Sequence, residues 1–190
     1  MSKRNTRSVP LFRFKQLWEN HPVITGEVNP CCTNGKPNFH DQCAIRLGTA
    51  LAACGVDTSK LPGVRHCWYH DKKYGHTLSA EELAKSLKDW PVYGVGTFQA
   101  IEPSEFAEKI SGMTGIIFFK DYWQRTVNGR KETYRNRSGD HIDLWNGNRI
   151  TDYRSWARIH LRIGNFGLHS FAPGWSDLED SKTIWFWSVV

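Results

Sequence analysis

The sequence predicts an α+β fold, with helices in the first half followed by an antiparallel sheet in the second. Three observations carry this. Residues 41–54 and 79–88 repeat apolar side chains at steps of three and four, the period of a helix with one buried face. Residues 115–119, 141–145 and 183–190 are short, rich in β-branched and aromatic residues, and either continuous or alternating in hydrophobicity. Helical patterns come first and strand patterns later, an order typical of α+β folds. At 190 residues, with 39% hydrophobic and 23% charged residues, residues 1–190 suit one domain with its own core.

Leu11 to Glu19 reads as a short amphipathic helix, with Ser8 as its cap and Pro10 near its first turn. The Asn-, Pro- and Gly-rich stretch from Asn29 to His40 reads as loop. From Asp41 to Cys54, Ala44, Leu47, Leu51 and Cys54 share one helix face; Asp41 is placed to cap it and Gly55 to end it. Ser79 and Glu82 form a capping-box pair for the next helix, which Pro91 bounds. Glu105 to Ile110 reads as a third, short helix closed by Gly112. Gly115 to Phe119 is a buried strand. Asn128-Gly129 is a hairpin turn within a basic segment. His141 to Trp145 alternates as a strand, Trp156 to Ile163 fits either helix or strand, and Thr183 to Val190 is a strand with Trp185 and Trp187 on one face.

Lys and Arg exceed Asp and Glu by 6, and nine Trp are present. A positive surplus steers a protein toward anionic partners. Nucleic acid, acidic membrane surfaces, anionic cell-wall polymers and an acidic protein partner all satisfy it. No apolar run approaches the roughly 20 residues of a membrane helix, so no membrane insertion is expected. Met1 to Pro10 is basic and polar without an apolar core, unlike a secretory leader. The chain is expected to be made in the cytoplasm.

Five cysteines, Cys31, Cys32, Cys43, Cys54 and Cys67, leave at least one unpaired. In an oxidising compartment a disulfide such as Cys54–Cys67 could form. His66, Cys67 and His70 lie close enough to share a metal, but no CxxC pair and no second ligand pair at a matching spacing accompanies them. Neither a metal nor another cofactor is expected.

Cys43 is the first candidate for chemistry. It stands at a helix start, where free N–H groups and the helix dipole favour a thiolate. Against this stands the commonest role of a free cysteine, a small buried hydrophobe, which suits Cys54 better. In Asp140-His141-Ile142-Asp143-Leu144-Trp145, a strand puts His141, Asp143 and Trp145 on one face and Ile142 and Leu144 on the other. The apolar pair anchors the strand, and the imidazole faces away from it, able to meet Cys43. A third group usually orients such a ring. Asp143, two residues on, and Asp152, after the Asn146-Gly147-Asn148 turn, both qualify. The Cys43 N–H and, more weakly, Gln42 are candidates for stabilising an oxyanion. The basic segment from Lys120 to Arg137, if it serves a site at all, could hold carboxylates of an acidic peptide.

The blocks Asp41-Gln42-Cys43-Ala44-Ile45-Arg46, Ser138-Gly139-Asp140-His141-Ile142-Asp143-Leu144-Trp145-Asn146-Gly147 and Ile184-Trp185-Phe186-Trp187 together resemble the fourth family of type VI secretion amidase effectors. The resemblance implies a papain-like, NlpC/P60-type fold. It implies delivery by the type VI secretion apparatus into a rival bacterium's periplasm, and cleavage of peptidoglycan stem peptides between D-glutamate, through its γ-carboxyl, and meso-diaminopimelate. It puts the nucleophile on Cys43, the base on His141 and the third member on Asp152, with a cognate immunity protein as partner. Relatives often carry Asn where Asp41 stands here; an Asp adds a negative charge near the thiolate. Gln42, Asp140 and Trp145 are then expected to line the substrate site. His141 follows Cys43 by 98 residues, fewer than the roughly 130–150 of papain-type proteases, so a compact variant is expected. A thiol nucleophile needs no cofactor. Two other readings compete. One is a basic, aromatic-rich domain that stacks and neutralises single-stranded nucleic acid. The other is a metal-dependent hydrolase using His66, His70 and His141.

Overall fold

The computed structural model describes residues 12–152 and 178–190. The proposed cap Ser8, Pro10 and the segment Trp156 to Ile163 lie outside them. The elements run α1 (Phe14–Glu19), α2 (Pro22–Thr25), β1 (Cys32–Thr33), β2 (Lys36–Pro37), α3 (Cys43–Ala53), α4 (Ala80–Asp89), β3 (Phe98–Ile101), α5 (Phe106–Lys109), β4 (Gly115–Trp123), β5 (Thr126–Val127), β6 (Arg130–Lys131), β7 (Gly139–Trp145) and β8 (Thr183–Ser188). Helices and antiparallel strands make an α+β fold in which β4 to β8 follow the helices, while β1, β2 and β3 fall among them.

The main sheet is antiparallel in the order β3-β8-β4-β7. The last strand is therefore interior and β7 lies at an edge. Both faces of the sheet are covered. Ile116, Phe118, Ile142, Leu144 and Trp187 point into a core shared with Leu17, Leu47, Leu51, Leu83 and Leu87 of the helices. The alternate residues Ile117, Phe119, Trp145, Ile184 and Phe186 form a second core with Phe106 and Ile110. This is the period-two alternation of a strand, with apolar side chains on both faces because both faces are buried.

Several boundaries move for local reasons. The first helix begins three residues later than predicted, where the Arg13 N–H donates to Gln16 Oε1 at 2.9 Å. The loop around residue 34 contains a two-residue hairpin: Asn34 and Gly35 take φ of 51° and 74° between β1 and β2, the backbone of a primed turn. Asp41 does not cap α3. Gln42 is the capping residue, and Asp41 pairs with His40 Nδ1 at 2.9 Å. Ser79 does cap α4, accepting from the Glu82 N–H at 3.3 Å, but the Glu82 carboxylate turns to Arg65 rather than back to the cap. The predicted Asn128-Gly129 hairpin joins β5 to β6. Strand β3 was not foreseen; it is short and half exposed, so its hydrophobic pattern is faint.

No helix among the described residues is long and apolar enough to cross a membrane.

Candidate active site

Helix α3 packs against edge strand β7, and this contact brings Cys43 to His141. Cys43 is the first residue of α3 because Gln42 leaves helical geometry at φ −117°, ψ 18°. The Gln42 side chain is fully buried and committed. Its Oε1 accepts from the Cys31 N–H at 3.0 Å, and its Nε2 donates to the carbonyls of Cys31 (3.1 Å) and Phe39 (3.2 Å). Gln42 thus fixes the loop that leads into the thiol, and it also lines a cleft beside Cys43 and His141. The rest of α3 is positioned by a close backbone approach. A Cβ on Gly48 would lie 2.0 Å from the Gly75 carbonyl oxygen, and Thr77 Oγ1 donates to the Ala44 carbonyl at 2.7 Å.

The thiol and the imidazole shift one another's pKa in opposite directions. Burial pushes the Cys43 thiol up, but the hydrogen bond and charge of His141, with the backbone amides of Ile142 and Ala44, more than offset it and hold the pKa below the usual thiol value. Burial likewise pulls the His141 imidazolium down, but hydrogen bonds to Asp143 and Cys43 and their negative charges overcome it and lift the pKa to about 10. Thiolate and imidazolium stabilise each other in a setting that water screens little. The imidazole stacks on Phe119 and meets Tyr122 edge-on, with ring centroids 6.4 and 6.2 Å away.

The carboxylate against this ring is Asp143. His141 Nε2 lies 3.3 Å from Asp143 Oδ2. Asp143 also accepts from the Leu144 N–H at 2.7 Å, and from Thr151 Oγ1 at 2.7 and 2.9 Å to its two oxygens. Burial pushes the Asp143 carboxyl up, but His141, the charge of His21 and Thr151 outweigh it and keep the pKa below the ordinary value. The predicted third member, Asp152, sits half-buried one residue past Thr151. The hairpin after β7 does fold back, as the Trp145–Ile150 bridge shows. What it delivers to the acid beside His141 is the Thr151 hydroxyl.

Sequence reasoning missed Thr151 and His21. His21 is buried, and its Nε2 lies 3.6 Å from Asp143 Oδ1. Its Nδ1 accepts from the Val23 N–H at 3.4 Å, which places the proton of the neutral ring on Nε2, toward the carboxylate. Neither residue belongs to a motif with recognisable spacing, and both act through Asp143 alone.

Two clefts meet at the sulfur. One is lined by Cys43, Arg65, Ser79, Trp123, Arg125 and Asp140. The other is lined by Cys43, Arg46, Tyr122, Trp123, Asp140 and His141. Asp140 lines both clefts. Its Oδ1 accepts from the Asp121 N–H at 2.9 Å, at a bulge where Asp121 takes φ 51°. Burial pushes its carboxyl up to about 6. Trp145 is not in the cleft. It is 1% exposed, lies in the second core, and its indole N–H donates to the Ile110 carbonyl at 2.9 Å. The alternation of β7 does put Trp145 on the face of His141, but α5 covers that face there.

The other titratable groups divide cleanly. All five cysteines are free. Cys54 packs half-buried on the first core, as predicted, and burial raises its pKa. His66, His70 and His141 do not converge: His66 Nε2 faces Thr58 Oγ1 at 3.4 Å, and His70 faces the sulfurs of Cys31 and Cys67. Cys31, Cys67, His70 and His76 form a separate group whose donor atoms could hold a metal.

A family model described as "Type VI secretion system (T6SS), amidase effector protein 4" matches residues 39–187. That span includes Cys43, His141, Asp143 and the closing strand β8. Among curated proteins, none matches the chain.

Proposed function

Because this chain belongs to the type VI secretion amidase effector 4 family, whose members are peptidoglycan amidases, we propose that it cleaves stem peptides with Cys43 as nucleophile, His141 as acid–base and Asp143 as the orienting carboxylate. The observation that carries this reading is the geometry: Cys43 starts α3, which packs on β7, and there His141 lines the same cleft as Cys43 with its Nε2 3.3 Å from Asp143 Oδ2. Such an array favours the thiolate form of the nucleophile.

The thiolate attacks the amide carbonyl, and the tetrahedral oxyanion develops near the start of α3. The Cys43 N–H, one of the amides there without an intrahelical acceptor, is its first donor. Collapse breaks the C–N bond as His141 gives its proton to the leaving amine, leaving a thioester on Cys43. Water then attacks the thioester with His141 as base. Asp143 stays ionised throughout and holds Nε2, while Thr151 and the Leu144 amide keep the carboxylate in place. The fold that supports this is a papain-like, NlpC/P60-type arrangement, with the nucleophile on a helix start and its base on an adjacent antiparallel strand.

The bond we assign is the one between the γ-carboxyl of D-glutamate and meso-diaminopimelate. Its neighbours carry free carboxylates, and Arg65, Arg125 and Arg46 line the two clefts beside Cys43, suited to pair with them. Action in the periplasm of the recipient cell and inhibition by a cognate immunity protein that covers these clefts belong to the same proposal. Mass spectrometry of purified sacculi digested by the protein tests the bond. Fragments ending at D-glutamate, with diaminopimelate newly amino-terminal, are expected. Cleavage confined to the D-alanine cross-link or to the glycan would overturn the assignment.

A further inference from the structure

We propose that Cys31, Cys67, His70 and His76 form a structural zinc site that ties the loop before α3 to the loop before α4. The four donor atoms lie within 4.8 Å of one another, and three of the four residues are buried. Three of the six separations are resolved as contacts. Cys31 Sγ to His70 Nδ1 is 3.6 Å, Cys67 Sγ to His70 Nδ1 is 3.5 Å, and Cys67 Sγ to His76 Nδ1 is 3.6 Å. A tetrahedral zinc with bonds of about 2.3 Å to sulfur and about 2.0–2.1 Å to nitrogen requires sulfur–nitrogen edges of about 3.5–3.6 Å. Three of the six edges therefore already have the length a tetrahedral zinc requires, and the other three are no longer than 4.8 Å. Two thiolates and two imidazoles are also the donor set that selects zinc over the hard cations.

The surroundings fit a closed structural site. Ile45 is buried with the two cysteines, and Phe39 and Leu78 pack on this group. Asn38 Nδ2 donates toward Cys31 Sγ at 3.6 Å, the kind of neighbour that steadies a thiolate ligand. Backbone pairing presents Cys67 and His76 together: the Cys67 N–H donates to the His76 carbonyl at 2.9 Å, and the Leu78 N–H to the Arg65 carbonyl at 2.9 Å. The Cys31 backbone is held by two hydrogen bonds to the side chain of Gln42, the residue before the nucleophile, and its carbonyl also accepts from the Asn38 N–H at 3.0 Å.

The loop needs such a tie. Between α3 and α4 the chain forms only two 3₁₀ turns, and Trp68, Tyr69 and Tyr74 are exposed. A segment that buries little apolar surface gains order from a metal, as small metal-bound modules do. Sequence spacing concealed the site because Cys31 is 36 residues before Cys67, and because His66, the nearest histidine to Cys67, is turned away to Thr58.

The test is metal analysis of the full-length wild-type protein, purified under reducing conditions and then offered zinc alone. About one zinc per chain is expected, released on mercurial titration of the thiols. Cobalt in its place should give thiolate charge-transfer bands and the intense visible absorption of tetrahedral coordination. Cys31→Ser, Cys67→Ser and His76→Ala should lose the metal, while His66→Ala, Cys43→Ala and Cys54→Ser keep it. Folded wild-type protein that takes up no zinc would overturn the proposal, whatever the variants do. So would a Cys31–Cys67 disulfide persisting in its place under reducing conditions, seen by mass. Cleavage of peptidoglycan is not the readout, so the outcome is separable from that of the proposed reaction.

Discussion

His141 Nε2 and Asp143 Oδ2 lie 3.3 Å apart, on residues separated by one position on the same strand. The β-period alone puts both side chains on one face, so the imidazole and the carboxylate form a unit that a single strand supplies. That unit is then completed from outside the strand by Thr151 and His21.

Asp143→Asn should lower kcat/KM by roughly 10²–10⁴-fold, since an amide neither stabilises the imidazolium nor fixes its tautomer. Asp152→Asn should cost less. Steady-state hydrolysis of a purified muropeptide by both variants decides this, and a larger loss in Asp152→Asn would move the orienting role to Asp152.

Thr151→Val keeps the shape but removes the hydroxyl donor to both Asp143 oxygens. A destabilisation of about 1–3 kcal/mol is expected for the underbonded buried carboxylate, with kcat falling more than KM rises. Denaturant unfolding alongside kinetics checks both, and an unchanged midpoint would show that the hydroxyl is dispensable.

The Cys43–His141 pair sets a pH window. The Cys43 pKa is lowered, so thiolate persists below the ordinary thiol range and is lost only as pH falls through the folded value. The His141 pKa is raised, so the stabilisation from its proton is complete below the unfolded value of 6.5 and disappears as pH rises through about 10. Alkylation of Cys43 should therefore proceed at pH values where a free thiol is protonated. In His141→Ala its midpoint should move up toward 9.0. An alkylation profile unaffected by that substitution would break the pair.

Asp140 titrates the other way from an exposed carboxylate. With its pKa raised to about 6 by burial, the neutral form suits the folded state. Its contribution to stability is present below 3.8 and lost as pH rises through about 6. Asp140→Asn, which can still accept from the Asp121 N–H, should gain on the order of 1–2 kcal/mol relative to wild type between pH 4 and pH 7. A difference independent of pH would contradict this.

The sequence made much of this legible because its strongest signals are local. The period-two alternation of residues 141–145 put those five side chains of β7 on their faces, and the run at 115–119 and the aromatic strand at the end named two further strands of the sheet. The helix start placed Cys43 at a site of free amides. What was not legible depends on tertiary packing. Alternation says which face Trp145 occupies but not that α5 buries it. That the preceding glutamine also locks its own loop shows only in the bonds of its amide to Cys31 and Phe39. The sequence left Asp143 and Asp152 open, and the contact of His141 with Asp143 shows only in the fold; the Cys31–His76 cluster joins residues from two loops with no spacing rule.

The most direct test of the central claim is to incubate a purified disaccharide–tetrapeptide muropeptide with wild type and with Cys43→Ala, and to follow products and enzyme by mass spectrometry. The account predicts cleavage at the γ-D-glutamyl bond by the wild type, an acid-quenched adduct on the peptide containing Cys43, and neither with the folded variant. Cleavage by Cys43→Ala, or an acyl adduct on another residue, would contradict it.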